Sequence, residues 1–333
     1  MTTSKLAEPL ATDTALANEK SGDNKQSTSV KRPMPSSYRW IAKGLNGLGA
    51  LSPKLAGKIL TRMWFTPFHG KPSSRTLAFW QTAHRRKTVW TGKEWLDLYF
   101  WGEGPTVLGV HGWRGSGSQF RHLVEPLVAA GYQVCLFDLP AHGMNKTRFT
   151  HVFDFVSTLL AIEKKFGPIA GVVAHSFGTQ AVVQALGRGF NPGHLAFFSP
   201  GMDAEAMLEN FSDFMQLTDS VKGSFKQQVT KKAGPITERF LGEKVGIWQR
   251  LSHGFAKTQL PEKAGIMIAD DQDEELHWST FEQTADYWVA ADKVFTSGLG
   301  HYQILKDPQV IKALVAYFQR VRTQVVGAPE AIH

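Results

Sequence analysis

From about residue 88 onward, short apolar runs alternate with longer stretches whose apolar residues recur at helical spacing. The runs fall at 94–101, 106–110, 133–139, 169–174, 194–199, 265–269 and 293–296, and they predict strands. Helical patterns lie between most of them, at 118–130, 153–166, 178–187, 280–290 and 308–321. Strands alternating with helices of this length predict an α/β fold, a mostly parallel sheet flanked by helices. One interval breaks the rhythm. Residues 201–262 separate two strands by a long helical stretch bearing Met and Phe, and insertions near strand ends commonly cover binding sites. The expectation is a helical lid at 201–262, between core segments 88–200 and 263–325.

The chain before residue 88 reads differently. Residues 1–35 are rich in Ser, Thr, Asn, Lys and Ala, with almost no aromatics, and predict a disordered tail. Residues 36–87 read as a basic helical segment. A first helix spans about 38–48; a second has Ser52 as cap and Pro53 at its first position. In that second helix Lys54, Lys58 and Arg62 share one face, while Leu55, Ile59, Leu60 and Met63 are assigned to the other. The preferred reading is a helix packed on the domain with a solvated basic face. The sharper alternatives are a membrane-surface helix or a cap over the pocket.

Composition narrows the function classes. The 22 Phe, 10 Trp and 6 Tyr residues can fill a large core, which excludes global disorder. The net charge of +8 tempts one toward nucleic acid, but residues 36–90 carry ten Lys or Arg and no Asp or Glu, more than the whole surplus. No nucleic-acid motif accompanies that charge, so no nucleic-acid partner is expected. The single cysteine, Cys135, excludes an intramolecular disulfide and a thiolate zinc site; within 134–137 it reads as a small buried hydrophobe. No stretch is long and apolar enough to span a bilayer, and the start lacks the apolar core of a secretory signal. A soluble cytoplasmic protein is the expectation.

In parallel sheets, ligands bind beyond the carboxyl ends of the strands. The residues that follow the runs there form a coherent set: His111-Gly112-Trp113-Arg114, Pro140-Ala141-His142-Gly143, Ala174-His175-Ser176-Phe177-Gly178, Asp270-Asp271-Gln272-Asp273 and Gly298-Leu299-Gly300-His301. Ser176 stands out. A serine used as nucleophile projects from a sharp strand-to-helix turn that demands small residues two before and two after, here Ala174 and Gly178. The plainer reading of Ser176 is a cap for the following helix.

Together, His111-Gly112-Trp113, 138–143, 174–178 and 298–301 resemble the α/β-hydrolase superfamily, in particular its bacterial esterase- and lipase-like serine hydrolases with a helical lid; the resemblance covers about 95–320. It implies an order of nucleophile, acid and histidine matched by Ser176, Asp273 and His301. Asp270 and Asp271 are local alternatives for the acid, and Asp203 a more distant one. It also implies an oxyanion hole built from the backbone N–H groups of Trp113 and Phe177. The implied reaction is cleavage of a carboxylic ester or thioester through an acyl-enzyme, on a small-molecule substrate, with no cofactor. Phe211, Phe214 and Trp248 of the lid are candidates for a hydrophobic substrate pocket. Arg114 could meet a substrate anion, although a solvent-facing role is preferred. Asn145 departs from the family habit of a Ser after the His-Gly turn. Asp271, Asp273 and Glu275 imitate alternate calcium ligands, but Leu276 stands where such a loop needs glycine, so no metal is expected.

Two readings from other classes compete. Gly115-Ser116-Gly117 with Asp138 imitates a dinucleotide-binding fingerprint, but Phe120 occupies the third glycine position and Ser176 and His301 go unexplained. The other rival is a non-catalytic member of the same fold that binds a ligand.

Overall fold

The computed structural model describes residues 34–67 and 70–326. The expected tail therefore lies outside the described residues, apart from Met34 and Pro35. The chain begins with helices α1 (Ser36–Leu51), α2 (Pro53–Trp64) and α3 (Ser74–Gln81), followed by β1 (Arg85–Trp90), β2 (Trp95–Trp101) and β3 (Thr106–Val110). After a 3-10 turn come α4 (Arg121–Ala129), β4 (Gln133–Phe137), α5 (Val152–Phe166), β5 (Ile169–His175), α6 (Phe177–Leu186) and β6 (His194–Phe198). The insertion holds α7 (Ala204–Phe214), α8 (Asp219–Leu241), α9 (Ile247–Arg250) and α10 (His253–Gln259). The chain then returns as β7 (Gly265–Asp270), α11 (Trp278–Tyr287), β8 (Ala291–Thr296), α12 (Gly300–Gln303) and α13 (Pro308–Val326).

The strands form one eight-stranded sheet in the order β1-β2-β4-β3-β5-β6-β7-β8. β2 runs antiparallel to both β1 and β4, and every other pairing is parallel. The central strands read as continuous apolar runs because both faces are covered. Leu108, Val110, Cys135, Phe137, Leu195, Phe197 and Met267 point into one layer with α5 and α6. Their alternates Val107, Val134, Leu136, Ala196, Phe198 and Ile266 point into the other, under α4 and α13. That period of two fixes the register, because a one-residue slip would exchange the two layers.

Two elements escape the sequence pattern. Strand β1 opens at Arg85, inside the stretch read as helical. It is a sheet-edge strand whose only buried residue is Val89, so it offers no alternation to detect. Helix α3 buries only Trp80.

Helix α2 is capped by Ser52, whose hydroxyl accepts from Leu55 N–H, with Pro53 at the first position as expected. Its buried face differs from the expected one. Ala56, Gly57, Leu60 and Thr61 are buried, whereas Leu55 and Ile59 lie exposed beside Lys54, Lys58 and Arg62. The reason is a close crossing with α8. A Cβ at Gly57 would sit 2.5 Å from Ser224 Oγ and 2.9 Å from its carbonyl carbon. Small residues bring the helix axes together, and the larger Leu55 and Ile59 are left outside. Helix α1 joins the same insertion: Asn46 donates to Gln216 O at 2.9 Å and accepts from Thr218 N at 3.0 Å.

Candidate active site

The carboxyl ends of β3, β4, β5, β7 and β8 converge on one edge of the sheet. Between β5 and α6 the chain turns through Ser176, held at φ 54° and ψ −129°. This left-handed conformation is costly for a residue with a side chain and persists only where the surroundings enforce it. They do so here by crowding: a Cβ at Gly178 would lie 2.4 Å from Val110 O and 2.6 Å from His111 O. Ala174 is fully buried on the other side of the turn. The Ser176 hydroxyl makes no capping bond to α6, so the plain reading of a helix-cap serine is not what the geometry shows.

Beyond β7 and β8, His301 Nδ1 meets Asp273 Oδ2 at 2.7 Å, with both side chains almost wholly buried. Asp273 Oδ1 also accepts from the amides of Glu275 and Leu276. Burial by itself would raise this carboxyl, but the His301 charge and the hydrogen bonds from His301, Leu276 and Glu275 hold it below its ordinary value. Burial likewise opposes charge on His301; Asp273 outweighs it, helped by Glu275 and Glu274, and leaves the imidazole above its ordinary value. The pair thus favours Nδ1–H facing Asp273 and leaves Nε2 as the free base when His301 is neutral.

The other acidic candidates lie elsewhere or serve other bonds. Asp270 is fully buried and accepts from Thr296 Oγ1 and from the amides of Gln272, Leu299 and Gly300, so it moulds the loop that delivers His301. Asp271 is exposed. Asp203 caps α7, accepting from Glu205 N and Ala206 N. One contributor goes unnoticed in the sequence: Glu274 Oε2 accepts the His301 backbone N–H at 3.0 Å. Its position directly after Asp273 carries no motif that would have marked it.

His175 joins the two halves of the site. Its Nε2–H donates to His301 O at 2.9 Å, and the two rings lie 4.6 Å apart. Burial, followed by the His301 charge, pushes its pKa down to about 3, so it is neutral at all ordinary pH. Ser176 is therefore adjacent in sequence to a residue in contact with His301, but no hydrogen bond joins Ser176 to His301 themselves. Nucleophile–base bonds of this kind are commonly long until substrate is bound.

The amides of Trp113 and Phe177 donate to no acceptor among the described residues. Their side chains meet edge to face, with ring centroids 5.9 Å apart. Behind them, two histidines tie the loops. His111 donates from Nδ1 to Gly112 O and accepts Leu139 N–H at Nε2; burial takes its pKa down to about 4. His142 donates to Pro140 O and accepts Arg114 N–H. Asn145 donates to Asp138 O and Leu139 O, which accounts for its presence where a Ser is usual.

The alpha/beta hydrolase family, described in those words, matches residues 107–316. The chain belongs to this family. No curated protein matches the sequence. Among solved structures this hydrolase-family chain is similar to an esterase from Pyrococcus furiosus, at 15% identity over 77% of this chain and 97% of that one, with TM-score 0.55. It is similar also to a thermophilic esterase from Thermogutta terrifontis, at 15% identity over 71% and 99% with TM-score 0.51. A third is a proline iminopeptidase-related protein from Thermus thermophilus, at 18% identity over 70% and 96% with TM-score 0.50. At these identities the likeness is one of fold.

Within this family frame, Asp138 serves the local backbone. It accepts from Ser116 Oγ and Gly117 N, closing the 3-10 turn, and is spent there and not on a ribose. Among the described residues, no group of three or more His, Cys, Asp or Glu is placed to hold a metal ion. The insertion begins against the site, with Gly201 N–H donating to Thr179 Oγ1 and Met207 Sδ close by. Its aromatics make contacts of their own. Phe211 packs on Trp64 and Phe225, Phe214 on Tyr38, and Trp248 donates to Thr230 Oγ1. These contacts hold the insertion to itself and to α1 and α2, because the N-terminal helices supply an apolar surface that the insertion's own pattern did not reveal. Arg114 is exposed as expected, yet it is engaged: Nη2 donates to Tyr38 Oη at 2.8 Å, which ties α1 to the residue after Trp113.

Proposed function

We propose that this protein is a serine hydrolase that cleaves a carboxylic ester or thioester through an acyl-enzyme. The observation that carries the reading is the buried 2.7 Å His301–Asp273 pair beside a left-handed Ser176 on a strand-to-helix elbow. In this reading Ser176 Oγ attacks the carbonyl carbon while His301 Nε2 takes its proton, and Asp273 fixes the tautomer and stabilises the imidazolium. The unengaged amides of Trp113 and Phe177 receive the oxyanion. Collapse of the tetrahedral intermediate expels the alcohol or thiol, which takes the proton from His301. Water, deprotonated by the same imidazole, then releases the acid and restores Ser176.

Trp113, Phe177 and Met207 around the elbow support a hydrophobic acyl or alcohol moiety. The insertion, braced by α1 and α2, acts as the lid. Phe211 and Trp248 brace it from inside and do not read the substrate. The test is hydrolysis of p-nitrophenyl esters from acetate to palmitate by wild type and Ser176→Ala. The variant is expected to lose about a thousand-fold or more in kcat with Tm unchanged. A folded variant with near-native turnover would refute the assignment.

A further inference from the structure

The outward face of α1 and α2 is unusual on this molecule. Among the described residues, five of the twelve exposed large apolar side chains fall between residues 40 and 59: Trp40, Ile41, Leu51, Leu55 and Ile59, with Trp40 74% and Leu51 87% exposed. On α2, Leu55 and Ile59 lie four residues apart on one face, and Lys54, Lys58 and Arg62 repeat that spacing directly beside them; Leu51 is the last residue of α1, just before the break at Ser52. On α1, Trp40 and Leu51 share a face, flanked by Arg39 and Lys43, and the Lys43 ammonium lies 5.5 Å from the Trp40 ring. None of these five cations makes an ion pair among the described residues; the chain offers no Asp or Glu from 36 to 90.

We propose that this face docks the protein on an anionic phospholipid surface. An exposed apolar stripe edged by uncompensated Lys and Arg, with Trp at its margin, suits the boundary between headgroups and acyl chains. Charge argues against the other occupants. A second copy would set five cations against five. Residues 1–33 carry four acidic and five basic residues, so they bring no net negative charge to cover it. Nucleic acid would match the charge but has no use for Leu51, Leu55 and Ile59. The opposite side of α1 bears Tyr38, which holds Arg114 beside Trp113. The docked helix would therefore place the mouth of the site close to the bilayer.

The experiment is co-sedimentation of the full chain with vesicles of phosphatidylcholine alone, or of phosphatidylcholine with phosphatidylglycerol. Binding is expected only to the anionic vesicles and weakens as salt rises. Each cation removed should weaken it about five-fold, so Lys54→Glu/Lys58→Glu/Arg62→Glu should lower partitioning by more than about 100-fold. Leu51→Ser/Leu55→Ser/Ile59→Ser should also release the protein. Both variants change exposed positions, and should keep the wild-type Tm and acetate-ester turnover, so this test stands apart from that of the hydrolase reading. The proposal is overturned if wild type ignores anionic vesicles, including the case in which deleting residues 1–33 is needed to reveal binding. It is overturned equally if either variant binds like wild type, if the face mediates self-association on gel filtration, or if duplex DNA binds wild type and the serine variant equally.

Discussion

The elbow with its base loop and the helical cap formed by α1, α2 and the insertion are built on opposite principles. At the elbow, each residue answers a local steric or electrostatic demand: Gly178 passes two carbonyl oxygens, Asp270 gathers the amides before His301, and Asp273 meets a buried imidazole. In the cap, the contacts join parts of the chain about 170 residues apart, as Asn46 does with Gln216 and Thr218. The residues proposed for the chemistry sit where few substitutions fit; the cap is held by packing of ordinary residues. Damage should therefore separate cleanly, into lost turnover without unfolding at the elbow and lost stability or selectivity without lost chemistry in the cap.

The largest effect belongs to Asp273→Asn. The amide would hold the wrong His301 tautomer, and kcat should fall by about 10⁴-fold. The pH profile sharpens this. His301 must be neutral to act as base, and Asp273 raises its pKa, so the acid limb of kcat/KM in wild type should have its midpoint above the ordinary 6.5. Removing the carboxylate charge leaves burial opposed only by Glu275 and Glu274, so the limb of the variant's residual activity should move to lower pH. An unmoved limb would mean that another group titrates.

Gly57→Leu comes next. It forces α2 off α8 and should cost about 2–3 kcal/mol, seen as a lower Tm. Turnover of a small acetate ester should survive within a few-fold, whereas the preference among longer esters should shift. Equal loss on every ester would show that cap and site are one unit. Asn46→Ala is the mildest: losing its two bonds to the insertion should cost about 1 kcal/mol in denaturant unfolding, with kinetics unchanged.

The contrast also explains what could be read from the sequence. The central strands appear as apolar runs because burial on both faces leaves no alternative, and Ser176, Asp273 and His301 follow strand ends because that is where the sheet opens. Strand β1 was illegible since an edge strand with one buried residue carries no pattern. The buried face of α2 departs from the helical pattern since spacing reports where large apolar residues lie, while close crossing on α8 selects small ones. For Phe211 and Trp248 the pattern is silent on direction, because composition cannot tell a side chain that faces substrate from one that faces a helix elsewhere in the chain. Tyr38 and Glu274 gave no signal at all, one being far from the motif it latches and the other acting through a backbone amide.

The most direct measurement is covalent. A fluorophosphonate probe needs an activated serine and an oxyanion hole, but no knowledge of the natural substrate. Intact-mass and peptide mapping of the treated protein should show one adduct, on Ser176, formed faster above the His301 pKa than below it and absent in Ser176→Ala. A folded protein that gains no adduct, or gains it at another residue, would contradict the account.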